Sequence, residues 1–371
     1  MVNNEKEYNT KTSENMTKTI LIAGGAGFVG SNLSYQLKTK YPDWVIISLD
    51  NLKRRGSELN IPYLKSIGVE FIHGDIRNKE DLIFEKQIDF IIDAAAEPSV
   101  LAGMGDSPDY LINTNLNGTI NLLNLATKHK SKFIFLSTSR IYPIKTLENI
   151  SYNEEETRFV PNESQSISGC SQYGISEQFP LSGARSFYGT TKLASELMIQ
   201  EYEEFSKLKA VINRCGVIAG PRQMGKVDQG VVVLWMACHF WKKKLSYIGY
   251  NGSGKQVRDV MHILDLFDLV DYQISNFDYV AGKIYNAGGG NSVSFSLKEL
   301  TSLCQEITGN KIQIDEVRNN RIGDIPIYIT DHRYITEDIG WKPQRDIEKI
   351  LTDIYEWLKK DEQQLKNILA I

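Results

Sequence analysis

Short apolar runs alternate, along the first half of the chain, with longer segments whose apolar positions recur every three or four residues. The short runs lie at 20–23, 45–49, 70–73, 90–94 and 132–136. Among the longer segments, one starts at Phe28 and carries Leu33 and Leu37 on its apolar side. The clearest spans 108–128, with Leu111, Leu116, Ile120, Leu123 and Ala126 in register. Strand-length runs alternating with amphipathic helices predict an α/β fold: a doubly wound parallel sheet covered by helices on both faces. Ligands on such a sheet sit beyond the carboxyl ends of its strands. Asp50, Asp75, residues 94–97 and residues 137–139 each directly follow a strand, so they become neighbours in space.

The texture changes at 143–186, which is polar, rich in serine and glycine, and too long for an idle loop in a compact domain. It reads as an excursion near the site. A long helix at 187–205 and a sixth strand at 210–214 follow. Beyond Gly220-Pro221 the elements are mixed: helices at 229–242, 263–275, 295–308 and 347–367, with short strands at 245–248 and 283–286. The organisation expected is a flexible polar tail at 1–18 and a mainly dinucleotide-binding domain at 19–220, interrupted by 143–186. Residues 221–371 then form a smaller substrate-binding region interleaved with the main sheet.

Composition narrows the function classes. The 371 residues are 42% hydrophobic and 24% charged, with a formal net charge of −4, which gives no electrostatic basis for binding nucleic acid or an anionic membrane. No apolar run reaches the length of a membrane span, and residues 1–18 lack the apolar core of a secretory signal. Cys170, Cys215, Cys238 and Cys304 are scattered, and the five histidines show no ligand spacing, so neither a disulfide framework nor a metal site is expected. A reducing, cytoplasmic setting follows as an expectation.

The chemistry begins at ILIAGGAGFVGSNL (20–33). Here a strand runs into Gly24, Gly27 and Gly30, and then into a helix that starts with Phe28 and Val29. Each glycine has a use in a dinucleotide-binding turn: a tight bend, close approach of backbone to pyrophosphate, and close packing of helix on sheet. Asp50, twenty residues beyond Gly30 at the end of the second strand, suits a ribose 2′-hydroxyl and therefore NAD. Arg54 and Arg55 nearby keep NADP open. Further along, Tyr188 and Lys192 stand four residues apart on one helix face. A free tyrosine, with a pKa near ~10, is a weak base at neutral pH, but neighbouring cations favour its phenolate. Such a phenolate can take a proton from a sugar hydroxyl while hydride leaves the same carbon. Thr138, after the fifth strand, can hydrogen-bond that hydroxyl.

The glycine turn, Asp50 and the Thr138, Tyr188 and Lys192 set together resemble the extended short-chain dehydrogenase/reductase superfamily, over nearly the whole chain after residue 18. The resemblance implies a Rossmann-type fold, a catalytic Thr138–Tyr188–Lys192 set and a nucleotide-sugar substrate. It places Asp75-Ile76 beside adenine and Ala94, Ala95 and Ala96 beneath the cofactor. Asn51, Arg54, Asn115 and Cys215 complete the implied cofactor set. It also implies a homodimer or higher homo-oligomer. Nucleotide-sugar 4,6-dehydratases carry an Asp-Glu pair directly after the catalytic threonine, where this chain has Ser139-Arg140, so dehydration is disfavoured.

The stretches PRQMGKVDQGVV (221–232), GSGKQVRDVMH (252–262), DNLKRRG (50–56), HGDIRNKEDL (73–82) and STSRIYP (137–143) resemble the CDP-tyvelose 2-epimerases, also called CDP-paratose 2-epimerases. Two segments depart from that pattern, namely Glu97-Pro98-Ser99 and a longer GISEQFPLSGARSF (174–187). The implied reaction is C2 epimerisation of a CDP-3,6-dideoxyhexose through a 2-keto sugar, with tightly held NAD and a role in surface-glycan synthesis. Arg258 matches the diphosphate position, and Arg321 and Arg222 are further candidates. Ser139, Gln223 and Gln229 are candidates for sugar or nucleotide contacts. A 4-epimerase or reductase of another nucleotide-sugar remains an alternative. So does a non-catalytic NAD-binding regulator or scaffold, although an intact catalytic set argues against it.

Overall fold

The computed structural model describes residues 17–225 and 229–369, so the polar tail expected at 1–18 lies almost wholly outside the described residues. Its centre is a seven-stranded, all-parallel sheet: β1 (Thr19–Ala23), β2 (Val45–Asp50), β3 (Glu70–His73), β4 (Phe90–Asp93), β5 (Lys132–Thr138), β6 (Ala210–Cys215) and β7 (Ile284–Ala287). The order across the sheet is β7-β6-β5-β4-β1-β2-β3. The winding reverses between β1 and β4, the place where an open α/β sheet leaves a crevice for a ligand.

The strands are apolar on both sides because both faces are covered. Ile20 and Ile22 join Leu33, Leu37 and Leu266 in one core, while Leu21 and Ala23 face Leu122, Leu123 and Ile199 in another. Three helices position the site: α1 (Phe28–Lys40), α2 (Gly118–His129) and α3 (Phe187–Ser206).

The sequence pattern and the structure differ at several ends. The helix expected over 108–128 contains a π-helical turn at Asn113–Asn117, just before α2. The helix expected from 229 starts at Val231 because Gly230, at φ +72°, turns the chain ahead of it. Ser296, not Phe295, opens the next helix: its hydroxyl and the Glu299 carboxylate form a reciprocal capping box, leaving Phe295 in the strand Ser294–Ser296. The last helix ends at Lys360, and a separate turn of helix covers Glu362–Leu365.

After β6 the chain builds a second layer. The strand Val257–His262 pairs with Val217–Ala219, Ser294–Ser296 and Ile327–Tyr328. The segment 143–186 forms two small hairpins tied to this layer by Thr157 and Arg158, which bond Glu299 and Ser294. Among the described residues, no helix is long and apolar enough to cross a membrane, and no cluster of three or more His, Cys, Asp or Glu could hold a metal.

Candidate active site

One cleft of about 600 Å³ runs along the carboxyl ends of the strands, from the glycine turn to Tyr188. At the turn, Gly24 has φ +72°, and a β-carbon there would stand 2.8 Å from Ala95 Cα. A β-carbon on Gly30 would come within 2.2 Å of the Gly24 carbonyl oxygen. Only glycine lets α1 pack this closely on the turn. Gly27 is the α1 N-cap and brings no side chain, so the first-turn N–H groups stay available to an anion. The Asp50 carboxylate braces the same turn, accepting from Ala26, Gly27 and Leu52 N–H. Gly30→Val should therefore disrupt the turn. Overpacking of this kind costs about 1–3 kcal/mol, and the NAD content of the purified protein, read by absorbance after denaturation, should fall with it. Wild-type NAD content would refute the assignment.

The far end is built by one face of α3. Tyr188, Lys192 and Glu196 follow at four-residue steps, all buried. Glu196 anchors the helix from below: Ser137 donates to it at 2.5 Å and Arg214 holds it through two nitrogens, the closer at 2.8 Å. The Lys192 ammonium lies 4.0 Å from the Phe135 ring centroid. Burial pushes its pKa down, against the opposing pull of Asp93, Cys215 and Glu196.

Burial pushes the Tyr188 phenol up to about 12, while a hydrogen bond from Thr138 and the charge of Arg140 pull it down. Arg140 thus adds a cation beside the tyrosine. Lys192 lines the same end of the cleft, with its ammonium over the Phe135 ring and in the field of Asp93.

Most of the residues singled out from the sequence line this cleft. Gly24, Gly27, Phe28 and Val29 are at the turn, and Asp50, Asn51 and Arg54 are after β2. Ile76, Ala94, Ala95 and Ala96 follow β3 and β4. Thr138, Ser139, Tyr188, Lys192 and Cys215 are at the far end, and Gln223 and Gln229 line the cleft from the segment after β6. Burial holds the Cys215 thiol up at about 12, so it is no nucleophile. Gln229 accepts from Arg54 and donates to Glu97 at 3.1 Å, linking the β2 and β4 ends across the cleft.

Others fall elsewhere. Asp75 is outside the lining: despite burial, Arg77 and Asn51 hydrogen bonds hold its carboxylate at about 2 and occupy it. Asn115 is fully buried and bonds both backbone groups of Glu97 and the Thr191 hydroxyl, so it locks the β4 loop onto α3 instead of facing a cofactor. Arg258 is outside the lining and paired with Asp324 at 2.8 Å, and Arg321 is outside it too. Arg222 does line the cleft, but at the glycine-turn end. It donates to Asn60 at 3.0 Å and lies 3.6 Å over the Tyr63 ring, and Asn60 in turn donates to Ala26.

Three lining residues carry charge that the sequence pattern had left without a site role, Lys53, Glu97 and Arg140. Arg140 was visible only as the replacement of an acid, and Glu97 only as a departure from a motif.

A model of the NAD dependent epimerase/dehydratase family matches residues 20–288. The chain is 31% identical over 350 residues to the CDP-paratose 2-epimerase of Salmonella typhi, spanning 91% of this chain and 98% of that one. It is 27% identical over 355 residues to the dTDP-glucose 4,6-dehydratase of Streptomyces griseus, spanning 93% and 95% of the two chains. Among solved structures it resembles the UDP-glucuronic acid 4-epimerase of Bacillus cereus, crystallised with UDP-glucuronic acid and NAD. The TM-score is 0.75 at 23% identity, covering 92% of this chain and 99% of that one.

Proposed function

The chain belongs to the NAD-dependent epimerase/dehydratase family, and we propose that within it the protein is a nucleotide-sugar 2-epimerase acting on a CDP-3,6-dideoxyhexose of the CDP-paratose and CDP-tyvelose type. The coarser assignment, an NAD-dependent epimerase/dehydratase of nucleotide-sugars, follows from the family itself. The observation that carries the finer reading is the pairing of Thr138 and Tyr188 with Ser139-Arg140 in a cleft continuous with the glycine turn. That arrangement offers a base for a sugar hydroxyl and lacks an acid pair to expel water. The similarity to a CDP-paratose 2-epimerase over almost the full length supports the choice of sugar and carbon.

The residues present suit NAD. At Gly24 and Gly30 a β-carbon would collide with backbone, leaving the bare turn that a pyrophosphate can approach, and the Asp50 carboxylate stands at the end of β2 beside that turn. Gly24, Gly27 and the α1 N-terminus would hold the pyrophosphate, Asp50 the adenosine ribose, and Tyr188 and Lys192 the nicotinamide ribose. Bound NAD supplies a hydride acceptor that becomes the donor once the sugar has turned over.

The chain's own groups manage the proton. Thr138 orients the C2 hydroxyl, and the Tyr188 phenolate takes its proton as that carbon becomes a ketone. The same phenol returns the proton when the opposite face is reduced, so protons and electrons balance over the cycle. No net redox change requires the cofactor to leave, which favours a retained NAD.

Incubation of the purified protein with CDP-paratose and no added NAD should give the C2 epimer by NMR. If the sugar is unchanged even with NAD supplied, the 2-epimerase reading fails.

A further inference from the structure

We propose that Arg140 receives the sugar-linked phosphate of the nucleotide-sugar and thereby presents C2 to Tyr188; the proposal rests on the nucleotide-sugar reading above. Arg140 lines the cleft directly after Thr138 and Ser139, and its charge acts on the Tyr188 phenol. Its backbone N–H is used, donating to the Thr138 hydroxyl at 3.2 Å. Its guanidinium makes no hydrogen bond or ion pair with any described residue, although the group carries five donors.

The other cleft arginines are engaged, Arg222 by Asn60 and the Tyr63 ring, Arg54 by Gln229 and the Met224 carbonyl, and Arg55 by the Asn367 carbonyl at 2.7 Å. Asp324, whose field reaches Arg140, is already held by Arg258 at 2.8 Å, and Arg258 also donates to the carbonyls of Val257 and Ile325. Burial, then the repulsion of Arg258, lowers the Arg140 pKa to about 10, which still leaves it cationic at neutral pH. An enclosed cation without a protein partner is costly to keep. A ligand oxyanion removes that cost, and a forked guanidinium suits phosphate.

The connectivity of a nucleotide-sugar says which oxyanion comes this close to the base. C2 is separated from the phosphate only by C1 and the anomeric oxygen. C4 lies across the ring from it. Chemistry at C2 therefore brings the phosphate beside Tyr188, where Arg140 stands, whereas chemistry at C4 carries it away. A carboxylate on the sugar would offer the same oxyanion chemistry, so the two sources need separate arms.

The test uses the full-length NAD-loaded protein and its Arg140→Gln and Arg140→Lys variants, titrated with CDP and CMP, and with UDP and UMP in parallel. The wild type should prefer the diphosphate. Arg140→Gln should weaken diphosphate binding by roughly 10- to 100-fold and leave the monophosphate unchanged, with Arg140→Lys in between.

The ligand-free melting temperature of Arg140→Gln should be unchanged or higher, because no protein contact is lost. A fall in melting temperature together with equal losses for diphosphate and monophosphate would make the residue structural and overturn the proposal. So would a wild type with no diphosphate preference, or a preference that survives in Arg140→Gln. In the second arm, UDP-glucuronate is compared with UDP-glucose. If Arg140→Gln erases only a preference for the uronate, the oxyanion is a sugar carboxylate and the phosphate assignment is wrong. Binding is read without turnover. A wild type that binds CDP through Arg140 yet leaves CDP-paratose unchanged upholds the phosphate contact and overturns the 2-epimerase reading alone.

Discussion

Tyr188→Phe is expected to fold, retain NAD and lose turnover by about 10²- to 10⁴-fold, the usual worth of a positioned acid–base group. The side chain is buried at the start of α3 and points its hydroxyl into the cleft end shared with Thr138 and Arg140. Removing one oxygen leaves the ring packing in place, so the loss falls on chemistry and not on stability. Burial keeps the resting group a phenol, pushed up to about 12, while Thr138 and Arg140 favour the phenolate. In the wild type, kcat/KM should accordingly rise with pH until the phenol ionises. In the variant that limb should vanish. Steady-state rates across pH, with NAD content measured on the same samples, decide it. A variant within several-fold of wild type, with the pH limb intact, would remove Tyr188 from the mechanism and revive a non-catalytic NAD-binding role.

Glu196→Ala should give the largest loss of stability. The Glu196 and Arg214 side chains are only 1% and 6% exposed and meet through a two-nitrogen contact. Deleting one partner leaves the other a buried, uncompensated charge, a loss of about 3–5 kcal/mol. Ser137 at the end of β5 loses its partner as well. Urea denaturation should show the shift in midpoint. Because Glu196 anchors the helix that carries Tyr188 and Lys192, whatever folded protein remains should also turn over poorly. A change below about 1 kcal/mol would mean that the pair adds little beyond its desolvation cost.

Much of the candidate site is legible in the sequence. The glycine turn could be read because three glycines between a strand and a helix answer a local backbone demand, and the contacts at Gly24 and Gly30 show that demand directly. Tyr188 and Lys192 could be paired from helical spacing alone, since residues four apart share a face. The apolar runs predicted a doubly wound sheet, and the strands do divide their side chains between two covered faces.

What could not be read was the engagement of each polar group. Asp75 and Asn115 fit their motifs, yet Arg77 occupies the first, and Glu97 and Thr191 the second. Helix ends at Val231 and Lys360 moved for a related reason: Gly230 adopts a left-handed turn, and Asp361 leaves helical geometry, where apolar periodicity alone would have continued.

The sequence by itself thus determined the strand–helix alternation, the bare turn of Gly24, Gly27 and Gly30, and the shared face of Tyr188 and Lys192. All of these depend on residues within a few turns of one another. Only the tertiary structure decided that Arg140 stands unpaired beside Tyr188 while Arg258 takes Asp324, and that Glu196 and Arg214 neutralise each other beneath the site. Those outcomes depend on which distant segments meet. A buried charge is costly unless a partner reaches it, and whether one does is set by the packing of the whole chain.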